Sequence, residues 1–528
     1  MIASGAEVTL TIEGRRVTVP AGTSILEAAK TAGVLIPHYC YHPSLPVAGV
    51  CRMCLVEVEK SPKLAPACAT AVAEGQVVHV HSQAARKARQ GVLEMLLINH
   101  PLDCPICDQS GECELQDYTY MEGPSGSRYR EPKRFNPVED FGGDVLYVPN
   151  RCILCTRCVR FMEDVAGEAV LNVSERGDRA YIGCFEGKEL THPWSGNVVD
   201  LCPVGALLSK DFLNKARAWE LDRTASICTG CSQGCNIMIE TRDNAVVRLR
   251  PRPNADVNAF FMCDYGRLNY RWINRPDRLE VPAVLGAQGY QPVDWDLALD
   301  GAATVLRGKR VFVLASPNLS NEALYLLSVL ASRSSGGGAF RVLTGEEAPL
   351  PGVPNLALRR DRAANVVGAE LLGFRRSETP LEELRAGDAL LVVDHGLNSD
   401  DRRSAETASA VVFLGTAIPS ELPRAHVLLP MANYAEEDGT FTNIQGRVQR
   451  YLQARAAPGL ARPACLVLSD LLSRLGQPLT VRHPADVFAL LSADHPAFGG
   501  MSYESLGLRG QLAAAEGVEP LAVAGGSR

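Results

Sequence analysis

The sequence predicts a multidomain protein of mixed α/β and α+β class, with small cysteine-rich domains first and an α/β layer domain after them. Three observations carry this. Of 17 cysteines, 16 lie before residue 264, in tight groups, and one, Cys465, lies after. Residues 7–19 alternate β-branched and polar side chains, broken by Gly14-Arg15, and a helix signal follows. Beyond Arg275, short apolar runs alternate with helical stretches. A length of 528 residues suggests three or four domains.

Composition narrows the class further. A net charge of −7 gives no general basic footprint for nucleic acid. No apolar run reaches the length of a membrane span, and Met1 to Glu7 does not read as a secretion signal. A soluble protein is expected, with any membrane association coming through a partner. Crowded cysteines without a secretion signal point to metal in a reducing compartment rather than to disulfides.

Taken in order, residues 7–19 form a hairpin, and Thr23-Ser24 opens a helix with Ile25, Leu26 and Ala29 on one face. A small sheet packed on a helix is expected. Cys40, Cys51, Cys54 and Cys68 follow at C-x10-C-x2-C-x13-C spacing, with Pro46 and Gly49 in the first gap. Four such thiolates form the ligand set of a [2Fe–2S] centre, although the first gap is longer than in the plant-type pattern. Zinc is the alternative. Leu55 to Val58 reads as a strand leading toward Cys68. His38 and His42 flank Cys40. Four cysteines already complete the site, so both histidines are read as neighbours of the site or surface groups.

Ser82 to Asn99 reads as a helix, with Ala84, Ala88, Val92, Met95 and Leu96 at helical spacing and Pro101 stopping it. His100, Cys104, Cys107 and Cys113 come next, as H-x3-C-x2-C-x5-C. Three cysteines leave one ligand position open, and a neutral imidazole at His100 can fill it. Imidazole in place of thiolate removes one negative charge from the centre. The run Arg151-Cys152-Ile153-Leu154-Cys155-Thr156-Arg157-Cys158-Val159-Arg160 then places three cysteines at C-x2-C-x2-C, and Cys202-Pro203 supplies a distant fourth. That pattern marks a cubane iron–sulfur site. A zinc knuckle or buried structural cysteines are the alternatives, and zinc favours paired C-x2-C units. Arg151, Arg157 and Arg160 place positive charge beside the site, which favours a reduced cluster; ordinary surface or ion-paired arginines are the competing reading.

Tyr39 to Pro43 with Cys51 to Val58, then His100 to Asp108, then Arg151 to Phe161, resemble the large iron–sulfur subunit of bacterial NADH–quinone oxidoreductases, the respiratory complex I family. The resemblance is dense over residues 7–275 and looser over 276–495. It implies an N-terminal β-grasp, ferredoxin-like [2Fe–2S] domain over 1–82 carrying Cys40, Cys51, Cys54 and Cys68. It implies a [4Fe–4S] segment over 83–122 on His100, Cys104, Cys107 and Cys113. A ferredoxin-like [4Fe–4S] domain over 123–220 would use Cys152, Cys155, Cys158 and Cys202. Cys184 matches no ligand position and is read as a buried thiol or a neighbour of the site.

Cys228, Cys231, Cys235 and Cys263 give C-x2-C-x3-C-x27-C, which resembles the N-terminal cluster of molybdopterin oxidoreductases. A third [4Fe–4S] cluster in a domain over 221–277 is implied, with zinc as the alternative. Strands are expected at 309–314, 388–394 and 410–414, a helix over 321–331, and a flexible loop at Gly336-Gly337-Gly338. His426 to Pro430 and Glu436 to Gln449 resemble a pterin-binding stretch. Yet no cysteine lies between Cys263 and Cys465, and Asp264 stands where formate dehydrogenases carry lysine after the last cluster cysteine. Residues 278–495 are therefore expected to form a short, degenerate molybdopterin-oxidoreductase-like domain without molybdopterin. Residues 496–528 form a tail, Ala/Gly-rich and frayed from Ala513.

No nucleotide fingerprint follows a strand, so NADH oxidation is expected elsewhere. The resemblance implies an electron carrier within a proton-translocating NADH dehydrogenase. It would sit peripherally on the cytoplasmic side of the bacterial inner membrane. Its partners would be a flavin-bearing subunit and a cluster-bearing subunit leading to quinone, with no catalytic residue of its own. The competing readings are a molybdopterin-dependent formate dehydrogenase and the electron-input subunit of a hydrogenase.

Overall fold

The computed structural model describes residues 6–514. Of the tail expected over 496–528, the part beyond 514 lies outside the described residues, and the part before it is folded: Tyr503–Leu506 is helical, Gln511–Leu512 pairs with Arg447–Tyr451, and Ala497, Phe498 and Leu506 are buried in the core. The chain forms two compact units, one of residues 1–221 with 350–354, the other of 222–349 with 355–528.

The first unit begins with a β-grasp. Strand β1 (Glu7–Ile12) pairs antiparallel with β2 (Arg15–Pro20), and Glu13 and Gly14 turn the hairpin at positive φ. Ser24 caps α1 (Ile25–Thr31), its hydroxyl accepting from Glu27 N–H at 3.2 Å, and Ile25, Leu26, Ala28 and Ala29 are buried. β3 (Leu55–Val58), β4 (Ala65–Pro66) and β5 (Val77–His79) complete a sheet of order β2-β1-β5-β3-β4, with β1 and β5 parallel. The alternating pattern of β1 explains its face: Leu10 and Ile12 reach the core with Val56 and Val78.

α2 (Gln83–Leu97) forms where expected, capped by Ser82, but its buried stripe is shifted from the expected face. Ala85, Arg89 and Leu93 face inward, whereas Ala84 and Met95 are exposed, Met95 at 76%. The cause is Arg89. Its fully buried guanidinium pairs with Glu122 at 3.0 Å on α3 (Glu114–Glu122) and donates to Val80 O at 2.9 Å. An ion pair, not an apolar seam, turns the helix.

Two small sheets continue the unit. Leu207–Ser209, Val145–Tyr147 and Glu139–Gly142 form one, and Leu171–Ser174 pairs with Tyr181–Cys184 in the other. The five residues 350–354, distant in sequence, join here: Gly352 N–H donates to Val165 O at 2.7 Å. A Cβ at Gly352 would lie 2.6 Å from Val165 Cα, so this approach requires glycine.

In the second unit, Asp222–Ile227, Asn236–Arg242 and Ala245–Pro251 make an antiparallel sheet. A larger sheet of eight strands follows. Its parallel part runs Val427–Pro430, Ala410–Gly415, Ala389–Val393, Val311–Ala315, Gly337–Phe340, Arg375–Arg376. The strands expected near 309–314, 388–394 and 410–414 are present, as is the helix, Asn321–Arg333. Both sheet faces are covered. Val311, Val313 and Ala315 enter one core, while Phe312 and Leu314 enter the other.

Gly336 to Gly338 is not the flexible loop expected. Gly337–Phe340 is a strand, parallel to Val311–Ala315. The glycines answer to crowding: a Cβ at Gly336 would meet Val311 O at 1.8 Å, and one at Gly338 would meet the Phe374 ring at 2.5 Å. Among the described residues no helix is long and apolar enough to cross a membrane.

Candidate metal centres

The first cysteine group lies where the grasp sheet opens. Cys54 directly precedes β3 and Cys68 closely follows β4, and Ala67 N–H donates to Cys54 O at 3.0 Å. Gly49 and Arg52 take positive φ, so the 40–54 loop curls back on itself. Cys40 N–H donates to Cys51 Sγ at 3.5 Å. The Cys40 thiol lies beside those of Cys51 and Cys68, and Cys54 beside Cys68. Those contacts hold Cys40 far below the thiol range and bring Cys54 to about 7, while Cys51 and Cys68 are pushed up. The four sulfurs thus neighbour one another in series, Cys51 to Cys40 to Cys68 to Cys54. His38 and His42 are half-buried; burial lowers both, and Ser44 is 2.6 Å from His42 Nδ1.

The second group encloses a cavity. Cys152, Cys155, Cys158 and Cys202 line it with Tyr147, Ile182, Val204 and Leu207. Leu154 and Thr156 both take positive φ, which lets the loop wrap around the space, and Leu154 N–H donates to Cys152 Sγ at 3.4 Å. Cys158 sits on the helix Arg157–Arg160; Cys202 ends the helix Asn197–Leu201. Burial pushes Cys152 and Cys202 up to about 11, Cys155 to about 12, and Cys158 well above its usual value. Thiols so buried ionise only when a cation offsets the cost. An all-sulfur set around an apolar space fits an iron–sulfur cluster in donor chemistry.

The third group follows α2. Cys104 is exposed in a short 3-10 turn, Cys107 is buried, and Cys113 caps α3. Burial raises Cys107, and Cys113 to about 11, and Cys113 lies in the field of both other thiols. Burial lowers His100 to about 4, helped by the charges of Lys133 and Arg151. Its imidazole is neutral, the form that ligates metal. His100 and Cys107 share the field of Arg151, which pairs with Asp103 at 2.9 Å.

The fourth group lies in the second unit. Cys228 and Cys235 flank a tight loop, with Cys228 N–H donating to Cys235 O at 2.8 Å. Gly230 N–H reaches Cys228 Sγ and Gly266 N–H reaches Cys263 Sγ, each at 3.4 Å. Cys235 feels the other three cysteines of the group and Cys263 feels Cys231 and Cys228, and all four are buried. Burial pushes Cys228 up to about 12. Gly266 is required: its Cβ would lie 2.8 Å from Cys228 Sγ.

Among the described residues, no three His, Cys, Asp or Glu side chains converge as ligands of a single metal ion do. Polynuclear clusters hold their ligands further apart, one at each corner. Cys184 is half-buried at the end of its strand, raised to about 11 by burial with Glu139 and Glu189, and no cysteine shapes its field. Cys465 is buried in the helix Ala464–Arg474.

Sequence reasoning missed how the groups are joined. Arg151 pairs with Asp103 and reaches Gly205 O at 3.5 Å. Arg157 pairs with Glu114 at 3.3 Å and donates to Tyr41 O at 2.9 Å and Leu201 O at 3.2 Å. Arg160 donates to Cys40 O and Cys155 O. These are not surface arginines: Arg151 and Arg157 are buried. Gly205 was also missed. A Cβ there would fall 2.2 Å from Cys107 Sγ, so the chain after Cys202-Pro203 packs on the third group. The only hint was a glycine three residues after Cys202.

The cysteine groups on and beside the grasp sheet suit iron–sulfur clusters in their donor chemistry. Residues 5–83 match the 2Fe-2S iron–sulfur cluster binding domain family, and 89–128 the NADH-ubiquinone oxidoreductase-G iron–sulfur binding region. Residues 142–208 match the ferredoxin-like domain of NADH-quinone oxidoreductase subunit 3. Residues 221–275 match the molybdopterin oxidoreductase Fe4S4 domain, and 363–474 molybdopterin oxidoreductase. The NADH-ubiquinone oxidoreductase 78 kDa subunit of Candida albicans is 46% identical over 300 residues, covering 56% of this chain and 42% of that protein. An NADH-quinone oxidoreductase subunit of Rickettsia bellii is 40% identical over 327 residues, 61% of this chain and 48% of that one. For the iron–sulfur protein 1 of Solanum tuberosum NADH dehydrogenase the figures are 46% over 333 residues, 62% and 45%. By these matches the chain is a homologue of the large iron–sulfur subunits of NADH–quinone oxidoreductases. It spans just under half the length of these curated relatives. Among solved structures, one of an NAD+-reducing [NiFe]-hydrogenase matches with a TM-score of 0.35 and 30% identity, over 40% of this chain and 91% of that one.

Proposed function

We propose that the chain is an electron-transfer subunit of an NADH–quinone oxidoreductase, relaying electrons from a flavin-bearing, NADH-oxidising subunit toward quinone. The observation that supports it most is the linkage of three cysteine groups by one loop, Arg151 to Arg160, in a single compact unit. Sites so joined suit electron passage rather than separate structural metals. In this reading Cys40, Cys51, Cys54 and Cys68 hold a [2Fe–2S] cluster. Three [4Fe–4S] clusters sit on His100, Cys104, Cys107 and Cys113; on Cys152, Cys155, Cys158 and Cys202; and on Cys228, Cys231, Cys235 and Cys263. The domain limits near 82, 122, 220, 277 and 495 belong to the same reading, as does the absence of molybdopterin.

The clusters, when bound, supply one-electron redox chemistry. The protein's own residues do the rest. The buried cysteines of the fourth group exclude water, N–H groups aimed at Cys152, Cys228 and Cys263 sulfur stabilise negative charge, and neutral His100 lowers the charge of its ligand set. The order is first group, second group, third group, then a cluster-bearing neighbour. The chain binds peripherally through the complex, on the cytoplasmic side of the bacterial inner membrane.

Iron and sulfide quantitation with low-temperature EPR on the reduced protein tests this. The expected result is one [2Fe–2S] and three [4Fe–4S] signals, about 14 irons per chain. Zinc in their place, or stoichiometric molybdenum with formate oxidation, overturns it.

A further inference from the structure

Arg160 spans two of the cysteine groups through their main chain. Its Nη2 donates to Cys40 O at 2.6 Å and to Cys155 O at 3.2 Å. Nη1 donates to Pro46 O, within the first loop, and Nε to Thr156 Oγ1 at 3.2 Å, within the second. One planar cation therefore connects the loop of the first group to the loop of the second by two short steps. The fork geometry of guanidinium permits this; a point-charge ammonium cannot hold all these acceptors in one plane.

The neighbouring arginines are used differently. Arg151 and Arg157 each pair with a carboxylate, Asp103 and Glu114, which offsets their charge locally. The hydrogen-bond partners of Arg160 are neutral oxygens; the charges it feels are Cys155 and Cys40 ahead of Arg157 and Asp164, so its positive charge acts mainly on the sulfur-rich loops at either side.

We propose that Arg160 is the positioning residue that couples the first and second centres, bridging them for electron exchange and raising the midpoint potentials of both. This rests on the iron–sulfur reading above. Reduction adds negative charge to a cluster, and a nearby fixed cation stabilises it. Tunnelling decays less steeply along bonded and hydrogen-bonded atoms than across a gap. With clusters bound, one electron would pass from a [2Fe–2S] centre held by Cys40, Cys51, Cys54 and Cys68 to a [4Fe–4S] centre held by Cys152, Cys155, Cys158 and Cys202; no bond would form or break, and the arginine would keep its proton.

The test uses the full chain with its clusters, as R160Q and R160K. Glutamine removes the charge, and lysine keeps it but loses the fork. EPR-monitored redox titration reads each potential, and flash photoreduction reads exchange between the first two centres. R160Q is expected to lower both potentials together, leave the third centre in place, and slow exchange several-fold. R160K is expected to keep the potentials and still slow exchange. A potential shift confined to one centre in R160Q, or native exchange in R160K, overturns the bridge. Loss of both centres in both variants overturns it as well, since the residue would then serve assembly. A native chain holding zinc instead would overturn the functional reading, and the bridge with it.

Discussion

At Gly205 the backbone passes so close to Cys107 that a single methyl group cannot be inserted: the added Cβ would lie 2.2 Å from the sulfur. Gly205→Ala is expected to displace that thiol, at a local cost of about 1–3 kcal/mol. The EPR signal assigned to the His100 group should weaken or broaden while that of the Cys40 group stays native. Unchanged spectra from both would show that the loop yields freely. The cysteines themselves were legible in the sequence, because ligand spacing is local and recurs in recognisable runs. The roles of Gly205 and of Arg151, Arg157 and Arg160 were not. Arg151 and Arg157 have carboxylate partners 48 and 43 positions away, and the remaining partners are backbone carbonyls and a sulfur, 98 to 120 positions away in three of the four cases; a main-chain oxygen has no letter in a sequence.

Strands and helices obey the same limit. The hairpin of β1 and β2, the cap on α1 and the buried strand Val311–Ala315 follow from alternation, a serine before a helix, and a continuous apolar run. Two elements departed from expectation because a tertiary partner decided them. The stripe of α2 turned to bury Arg89 against Glu122, and Gly337 and Gly338 entered a strand, Gly338 against Phe374. Gly338→Val tests the second case. Valine favours strands in isolation, yet here its side chain would meet the Phe374 ring at 2.5 Å. The variant is expected to lose about 1–3 kcal/mol in chemical denaturation of the second unit. A gain in stability would mean that strand propensity outweighs the crowding.

For the whole molecule, the fold class was readable because each half carries its own signature: metal-ligand spacing in one, a buried parallel sheet in the other. What stayed hidden is a polar interior in the second unit. Glu322 accepts from Tyr503 at 2.8 Å and Thr440 at 3.0 Å, and Glu437 accepts from Tyr451 at 3.1 Å. Burial raises Glu322 to about 7 and Glu437 to about 8, from an ordinary 4.5. Both carboxyls are therefore protonated more readily folded than unfolded. Their contribution favours folding at low pH, falls as pH rises above 4.5, and levels off beyond about 8. Glu322→Gln should lose less stability between pH 5 and 8 than the native chain, by on the order of a few kcal/mol. Parallel stability curves for the two proteins would contradict the protonation of Glu322. The loop from Arg151 to Arg160 has a consequence for biosynthesis. Cys40, Cys51, Cys54 and Cys68 are translated well before Arg157 and Arg160, whose hydrogen bonds to Tyr41, Pro46 and Cys40 secure their loop. A nascent chain halted near residue 150 has the grasp sheet's strands but an unfastened thiol loop, open to the wrong metal or to oxygen. On the proposed iron–sulfur reading, faithful loading of this loop is tied to how quickly the ribosome delivers the next few dozen residues.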